Sequence, residues 1–182
     1  FGHRRLGSPQ ANNVASFAAD SRGRLWVGSF GGGVSAVDEE AGQVRTRNHR
    51  PGDPSSIGDD FVMALVVDDR DRVWLGTMTA GVERLDPATG RITRFAHRPR
   101  DPGALGAPGV MSLLRDSRGR IWVGTYGAGV CMIDPATDAV RCHPVQRGDG
   151  PGLSSDRATA LAEDRAGLIW IGTDGGGLNV LD

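Results

Sequence analysis

The sequence predicts an all-β fold, a β-propeller of four four-stranded antiparallel blades, on three observations. Trp26, Trp74, Trp122 and Trp170 recur at a period of 48 residues, and a period of this size belongs to solenoids and propellers. Gly at 28 and Pro at 10, against only 5% aromatic residues, favour many short elements joined by tight turns. No window holds apolar residues at the 3.6-residue spacing, over ten or more positions, that a helical repeat needs.

The second unit shows how each element arises. Val62 to Val67 is an apolar run that reads as strand a, and Asp68 to Arg72 is turn chemistry. Val73 to Met78 is strand b, a Gly-bearing turn ends at Gly81, and Val82 to Leu85 is strand c. Asp86-Pro-Ala-Thr-Gly90 then turns the chain into strand d, Arg91 to His97. Four strands and three hairpins in one antiparallel unit make a propeller blade. The same text recurs as Asp20-Ser-Arg-Gly-Arg-Leu-Trp-Val-Gly-Ser, Asp116-Ser-Arg-Gly-Arg-Ile-Trp-Val-Gly-Thr and Asp164-Arg-Ala-Gly-Leu-Ile-Trp-Ile-Gly-Thr.

The repeated positions have structural readings. Each Asp opens a turn in which Gly23, Gly119 and Gly167 take positive φ, with Asp71 a tolerated substitute. The tryptophans are expected to fill the space between neighbouring blades, and Gly28, Gly76, Gly124 and Gly172 to permit close packing beside them.

The whole chain, 1–182, reads as one propeller domain or a piece of one, with blades at about 14–49, 62–97, 110–145 and 158–182 plus 1–6. The fourth unit stops at Asp182 after strand c, while Phe1-Gly-His-Arg matches Phe95-Ala-His-Arg of strand d in the second. Pairing the N-terminal strand with Leu178 to Leu181 would close a four-bladed ring and cover a strand edge that otherwise invites aggregation. A homodimer completing a larger ring, or an open arc of a longer propeller, is the alternative.

The phrase Leu/Ile-Trp-Val/Ile-Gly, then Gly-x-Gly-Val/Leu and Asp-Pro-Ala-Thr, resembles the two-component regulator propeller repeat. Asp164 to Leu178, with Gly152-Leu-Ser-Ser-Asp-Arg-Ala before it, is very close to that pattern. The resemblance implies the sensory, usually periplasmic, part of bacterial hybrid sensor kinases and some diguanylate cyclases. There the propellers precede an immunoglobulin-like domain, a membrane helix and a cytoplasmic output domain. This sequence departs from the family in having four repeats, where the family usually has more, and in lacking membrane and output segments.

The formal charge of −1 gives no field to gather a polyanion, so nucleic acid is not an expected partner. All 21 basic residues are Arg, which removes Schiff-base and P-loop lysine chemistry. No stretch approaches the roughly 20 apolar residues needed to cross a bilayer, so no direct membrane insertion is expected of this segment. His3, His49, His97 and His143 fall at nearly one repeat position, one per blade near the outer strand. They read as solvated edge residues, too far apart for a shared metal. Gly31 to Gly33 and Gly175 to Gly177 are hairpin turns without the helix N-terminus of a phosphate cradle. No cofactor, metal or catalytic residue is expected.

Strand direction places the b–c turns and the long d–a connections, about 50–61, 98–109 and 146–157, on one face. Long loops on a rigid scaffold are where binding residues sit. Within the repeated b–c turn one position varies, as Phe30, Met78, Tyr126 and Asp174, and these are the candidate ligand-binding residues around the central opening. Asymmetry of this kind is what recognition of an asymmetric molecule requires. The expected function is a non-catalytic ligand-sensing or interaction module, met by an unknown small molecule or glycan or by another domain of the same receptor. The alternatives are a propeller enzyme of lyase or glycosidase type, which needs convergent carboxylates or a histidine base near the axis, and a structural spacer.

Taking the Asp134-Pro-Ala-Thr-Asp138 turn as a hairpin centred between Ala136 and Thr137 sets Cys131 opposite Cys142. An oxidising periplasm would favour a disulfide there. The matching positions are polar in other blades, Ser35, Glu83 and Asn179 in strand c with Thr46 and Arg94 in strand d, so both cysteines are expected on the less buried side.

Overall fold

The computed structural model describes residues 13–39, 41–146 and 152–182, and among them every regular element is a strand. Blade one is β1 (Val14–Ala19), β2 (Leu25–Ser29), β3 (Gly33–Asp38) and β4 (Gln43–Arg47). Blade two is β5 (Val62–Val67), β6 (Val73–Thr77), β7 (Val82–Leu85) and β8 (Ile92–Phe95). Blade three is β9 (Val110–Arg115), β10 (Ile121–Thr125), β11 (Val130–Ile133) and β12 (Val140–Cys142), and blade four is β13 (Ala158–Glu163), β14 (Ile169–Thr173) and β15 (Gly177–Leu181). Each blade is an antiparallel meander in sequence order, three of them four-stranded and the last three-stranded. The N-terminal strand expected to complete blade four lies outside the described residues.

The innermost strands β1, β5, β9 and β13 stand side by side, each touching the next. All four carry a register shift against strand b, such as that between Val62 and Ala64. A bulge of this kind sharpens the twist of a strand, and the repeat text gives no sign of it.

The aspartate turns hold the blades together internally. In blade three, Asp116 accepts hydrogen bonds from the backbone N–H of Arg118 and Arg120 through Oδ1, and from Arg120 Nε and Trp122 Nε1 through Oδ2, the last at 2.8 Å. Asp20 and Asp68 make the same set. Burial alone would raise the Asp116 carboxyl, but the bonds from Trp122 and Arg120 outweigh it and hold the group below its usual range. The same balance, with Trp26 and Arg24, lowers Asp20. The residue three positions after each aspartate has positive φ: Gly23 at 76°, Asp71 at 57°, Gly119 at 80° and Gly167 at 84°.

The apolar core sits at the junctions between blades. Trp26 and Val34 of blade one pack with Ile57, Val62, Leu65 and Val73. Trp74 and Val82 pack with Leu105, Val110 and Ile121, and Trp122 and Val130 with Ala158, Ile169 and Ile171. Glycine beside each tryptophan is required by this approach: a Cβ on Gly76 would lie 2.6 Å from Val110 Cγ1, and one on Gly124 2.6 Å from the Ala158 carbonyl oxygen. Trp170 and Gly172 break the pattern. Trp170 is exposed, and a Cβ on Gly172 would meet only Ala160 of its own blade, because no described blade follows the fourth.

Positions 35, 83 and 131 differ from expectation too, since Ser35, Glu83 and Cys131 are all buried. Over positions 83 and 131 the d–a connections fold back across the sheet, as the Gly58 N–H bond to Glu83 and the Cys142 Sγ contact with the Ala104 carbonyl show. In blade two the Gly58 N–H donates to Glu83 Oε2, while Arg94 donates from Nε to Glu83 Oε1 and from Nη1 to the Pro54 carbonyl. Burial raises the Glu83 carboxyl, against the opposing pull of Gly58 and Arg94. The pair is Ser35 Oγ with Thr46 Oγ1 in blade one, at 2.8 Å. In blade three, Cys131 pairs with Cys142 in register, and the two are joined by a disulfide with their Cα atoms 3.9 Å apart.

Candidate functional site

The b–c turns and d–a connections interlock on one face. Gly31 and Gly33 donate their backbone N–H groups to the Asp60 carbonyl, just before β5 begins. Gly127 and Gly129 do the same to the Asp156 carbonyl before β13. Each turn is thereby fastened to the next blade, and the residues at its tip are held on backbone rather than left on a free loop.

The four variable turn residues take up equivalent places on this face. Phe30, Tyr126 and Asp174 are exposed, and Met78 is half-buried. They are joined by a second row, the residues that precede strand a in each blade. The Phe30 N–H donates to the Asn13 carbonyl, Met78 to Phe61, Tyr126 to Gly109 and Asp174 to Arg157. Antiparallel bridges Phe30–Phe61 and Tyr126–Arg157 then span two of the blade junctions. The result is a continuous rim along the inner edge of the loop face.

Its chemistry changes from one end to the other. Phe30 and Phe61 meet edge to face with ring centroids 4.7 Å apart, and both rings stay exposed. At the other end the Arg157 guanidinium lies 5.0 Å from the Tyr126 ring centroid and donates from Nη1 to Asp174 Oδ2 at 3.1 Å. An apolar, aromatic surface therefore grades into a charged one, with Met78 between. Such a rim can stack against a planar or ring-shaped surface at one end and hydrogen-bond a polar group at the other.

The sequence reading found one of the two rows. Phe61 and Arg157 belong to the position occupied by Asn13, Phe61, Gly109 and Arg157, which also breaks the repeat; that variation was the available signal. A separate cleft of about 410 Å³ opens on the outer edge of blade one, lined by Arg45, Arg47, Asn48, Arg50, Ser55 and Ile57.

Of the edge histidines, His49 is exposed as expected, while His97 and His143 are half-buried. His49 Nδ1 lies 2.8 Å from the Ile57 carbonyl oxygen and His97 Nδ1 2.8 Å from that of Leu105, so each ring fastens the connection that follows it. His143 stacks on Trp122 with centroids 5.4 Å apart, and burial, then the Arg120 charge, lowers its pKa. His3 lies outside the described residues. Among the described residues no three His, Cys, Asp or Glu side chains gather in a metal-binding group.

These features define a repeat propeller with a rigid inner scaffold and a variable loop rim. Segments 8–31, 104–127 and 152–175 match the model of the two component regulator propeller family, in step with the 48-residue period. No curated protein matches the chain. Among solved structures, the extracellular domain of the hybrid two component system BT3049 from B. thetaiotaomicron superposes with a TM-score of 0.78 at 20% identity, covering 97% of this chain and 23% of that one. The extracellular domain of the BT4673 system from the same organism gives 0.75 at 23% identity, covering 99% and 22%. Virginiamycin B lyase from Staphylococcus aureus gives 0.67 at 13% identity, covering 97% and 57%. The chain thus spans less than a quarter of the two extracellular domains, and at these identities the likeness is one of fold.

Proposed function

We propose that the chain is a non-catalytic input module of an extracytoplasmic signalling protein, and that its loop rim takes up a small molecule, a glycan or another domain of the same receptor. The observation that carries this reading is the rim itself, where Phe30, Phe61 and Tyr126 are exposed along two adjoining rows with Arg157 and Asp174 while the backbone beneath them is fixed. Exposed aromatics held on a rigid scaffold are contact residues at low entropic cost. The regulator-propeller repeats support a role in signal input, and the Cys131–Cys142 disulfide fits an oxidising compartment. The extracellular domains of similar fold support the same location.

The test is a thermal-shift screen of the purified chain against soluble oligosaccharides, amino acids and small organic acids, repeated on Phe30→Ser and Tyr126→Ser. Compounds that raise the wild-type midpoint should lose that effect in one or both variants. Hits that shift all three proteins equally would remove the rim from the account, as would a panel that stabilises none.

A further inference from the structure

In blades two and three a ring near the end of strand d stacks on the tryptophan of strand b. Phe95 lies on Trp74 and His143 on Trp122, each pair with centroids 5.4 Å apart. In blade two Arg84 lies over both rings as well. One period back from Phe95 and His143, blade one has Arg47, and one period back from Arg84 it has Ala36. Neither a ring nor a long strand-c side chain fills the outer edge of blade one, and the cleft of about 410 Å³ opens there. A volume of this size lies within the range of small-molecule sites.

Arg47 also lacks the acceptor that the next junction provides. There the Arg84 guanidinium reaches across to the following blade and pairs with Asp138 through both Nη1 and Nη2. Arg47 reaches the same place one period earlier, since a Cβ on Gly90 would lie 3.7 Å from its Nη2 and position 90 recurs at 138. Glycine offers no carboxylate, and among the described residues no acid pairs with Arg47. Arg45 and Arg50 line the same cleft, the first bonded to Gln43 and the second to Asp53. All three arginines are exposed, the floor residue Ile57 is buried, and none of the described residues lining the cleft is acidic.

We propose that this cleft is a second binding site, distinct from the rim, and that it takes a small organic polycarboxylate. One carboxylate is held by Arg47, as Asp138 is held by Arg84, and another is met by Arg45 and Arg50. The planar fork of arginine matches a carboxylate with two parallel hydrogen bonds. A single exposed ion pair is worth little, so the ligand needs several carboxylates to engage the three cations together.

The repeat itself supplies two ways to close the site. Arg47→Phe restores the ring that blade two carries at 95, and it removes the cation. Gly90→Asp keeps the cation and supplies the acceptor that the next blade has at 138, where Asp138 already adopts a φ of 61° against 74° at Gly90. The first change fills the cleft, and the second satisfies Arg47 from within the chain.

Equilibrium dialysis of the purified chain against radiolabelled citrate tests this, with the unfolding midpoint of each variant checking that it folds. Citrate should bind at low ionic strength and weaken as salt is raised, because exposed cations are screened. Arg47→Phe and Gly90→Asp should each weaken it about tenfold and Arg45→Gln about threefold. Arg141→Gln, at the strand position of Arg45 in blade three, should leave it unchanged. A wild-type chain that binds no citrate would overturn the proposal, as would equal affinity in Arg47→Phe and Gly90→Asp, or competition by inorganic sulfate as strong as by citrate itself. None of these substitutions touches the rim. An acid in the thermal-shift screen that acts alike on wild type and rim variants but not on Arg47→Phe belongs to this cleft, so failure here and failure of the rim are told apart.

Discussion

On the face opposite the b–c turns and d–a connections, Asp20, Asp68, Asp116 and Asp164 each accept from the indole N–H six residues later and from backbone N–H groups two and four residues later. On the loop face, the residues at 30, 78, 126 and 174 are Phe, Met, Tyr and Asp, and those at 61, 109 and 157 are Phe, Gly and Arg. Both faces are fixed by backbone hydrogen bonds, so the contrast is one of side chains rather than of rigidity. Where the same indole and backbone donors recur in every blade, the repeat holds the aspartate that accepts from them constant. Where it points out from a turn already fastened by backbone, the repeat lets it vary.

The largest break in this contrast should come from Asp116→Ala. Asp116 is buried and its loss strands the Trp122 N–H and two backbone donors, so urea denaturation should show a loss of about 3 kcal/mol. A loss no greater than that of a surface change would mean the turn aspartates are replaceable. Asp164→Ala removes the same bonds at an exposed site and should cost distinctly less, because water can reach the Trp170 indole.

Reducing the Cys131–Cys142 bond, or replacing both residues by Ser, should lower stability by about 2 to 3 kcal/mol through freedom restored to the unfolded chain. Equal midpoints with and without reductant would count against the bond. Smaller still should be Tyr126→Ser, within about 0.5 kcal/mol of wild type in the same urea series, since the side chain covers no core.

Acid and base separate two buried carboxyls. Asp116 has its pKa lowered in the fold, so its contribution is present above the unfolded value of 3.8 and is lost as the pH falls through the folded one. Glu83 has its pKa raised, so the folded state holds its proton more readily, and stability falls as the pH rises from the unfolded value of 4.5 through the folded one. Stability measured against pH should therefore show Glu83→Gln gaining on wild type as the pH rises above 4.5. A constant difference between the two would contradict the buried position of Glu83.

The repeat made much of this legible. The period placed every tryptophan, the Asp-x-x-Gly and Asp-Pro-Ala-Thr turns placed the strand ends, and the turn centre at Ala136 and Thr137 gave the facing of Cys131 and Cys142. The exposure of Trp170 was not legible, because the repeat motif reads the same whether or not another blade stands beside it. The burial of Glu83 depended on a connection folding back over its own blade, and no local pattern in 50–61 encodes that path. Phe61 and Arg157 were passed over because they sit at the end of a loop, where variation is ordinary, and only the bridges to Phe30 and Tyr126 draw them into the rim.

Hydrogen–deuterium exchange, run with and without a compound that raises the unfolding midpoint, tests the division between the two faces most directly. The account predicts added protection in the b–c turns around 30–33, 78–81, 126–129 and 174–177 and in the connections that fasten them, with none at 20–24, 68–72, 116–120 or 164–168. Protection confined to the aspartate turns, with the loop rim exchanging as before, would contradict it.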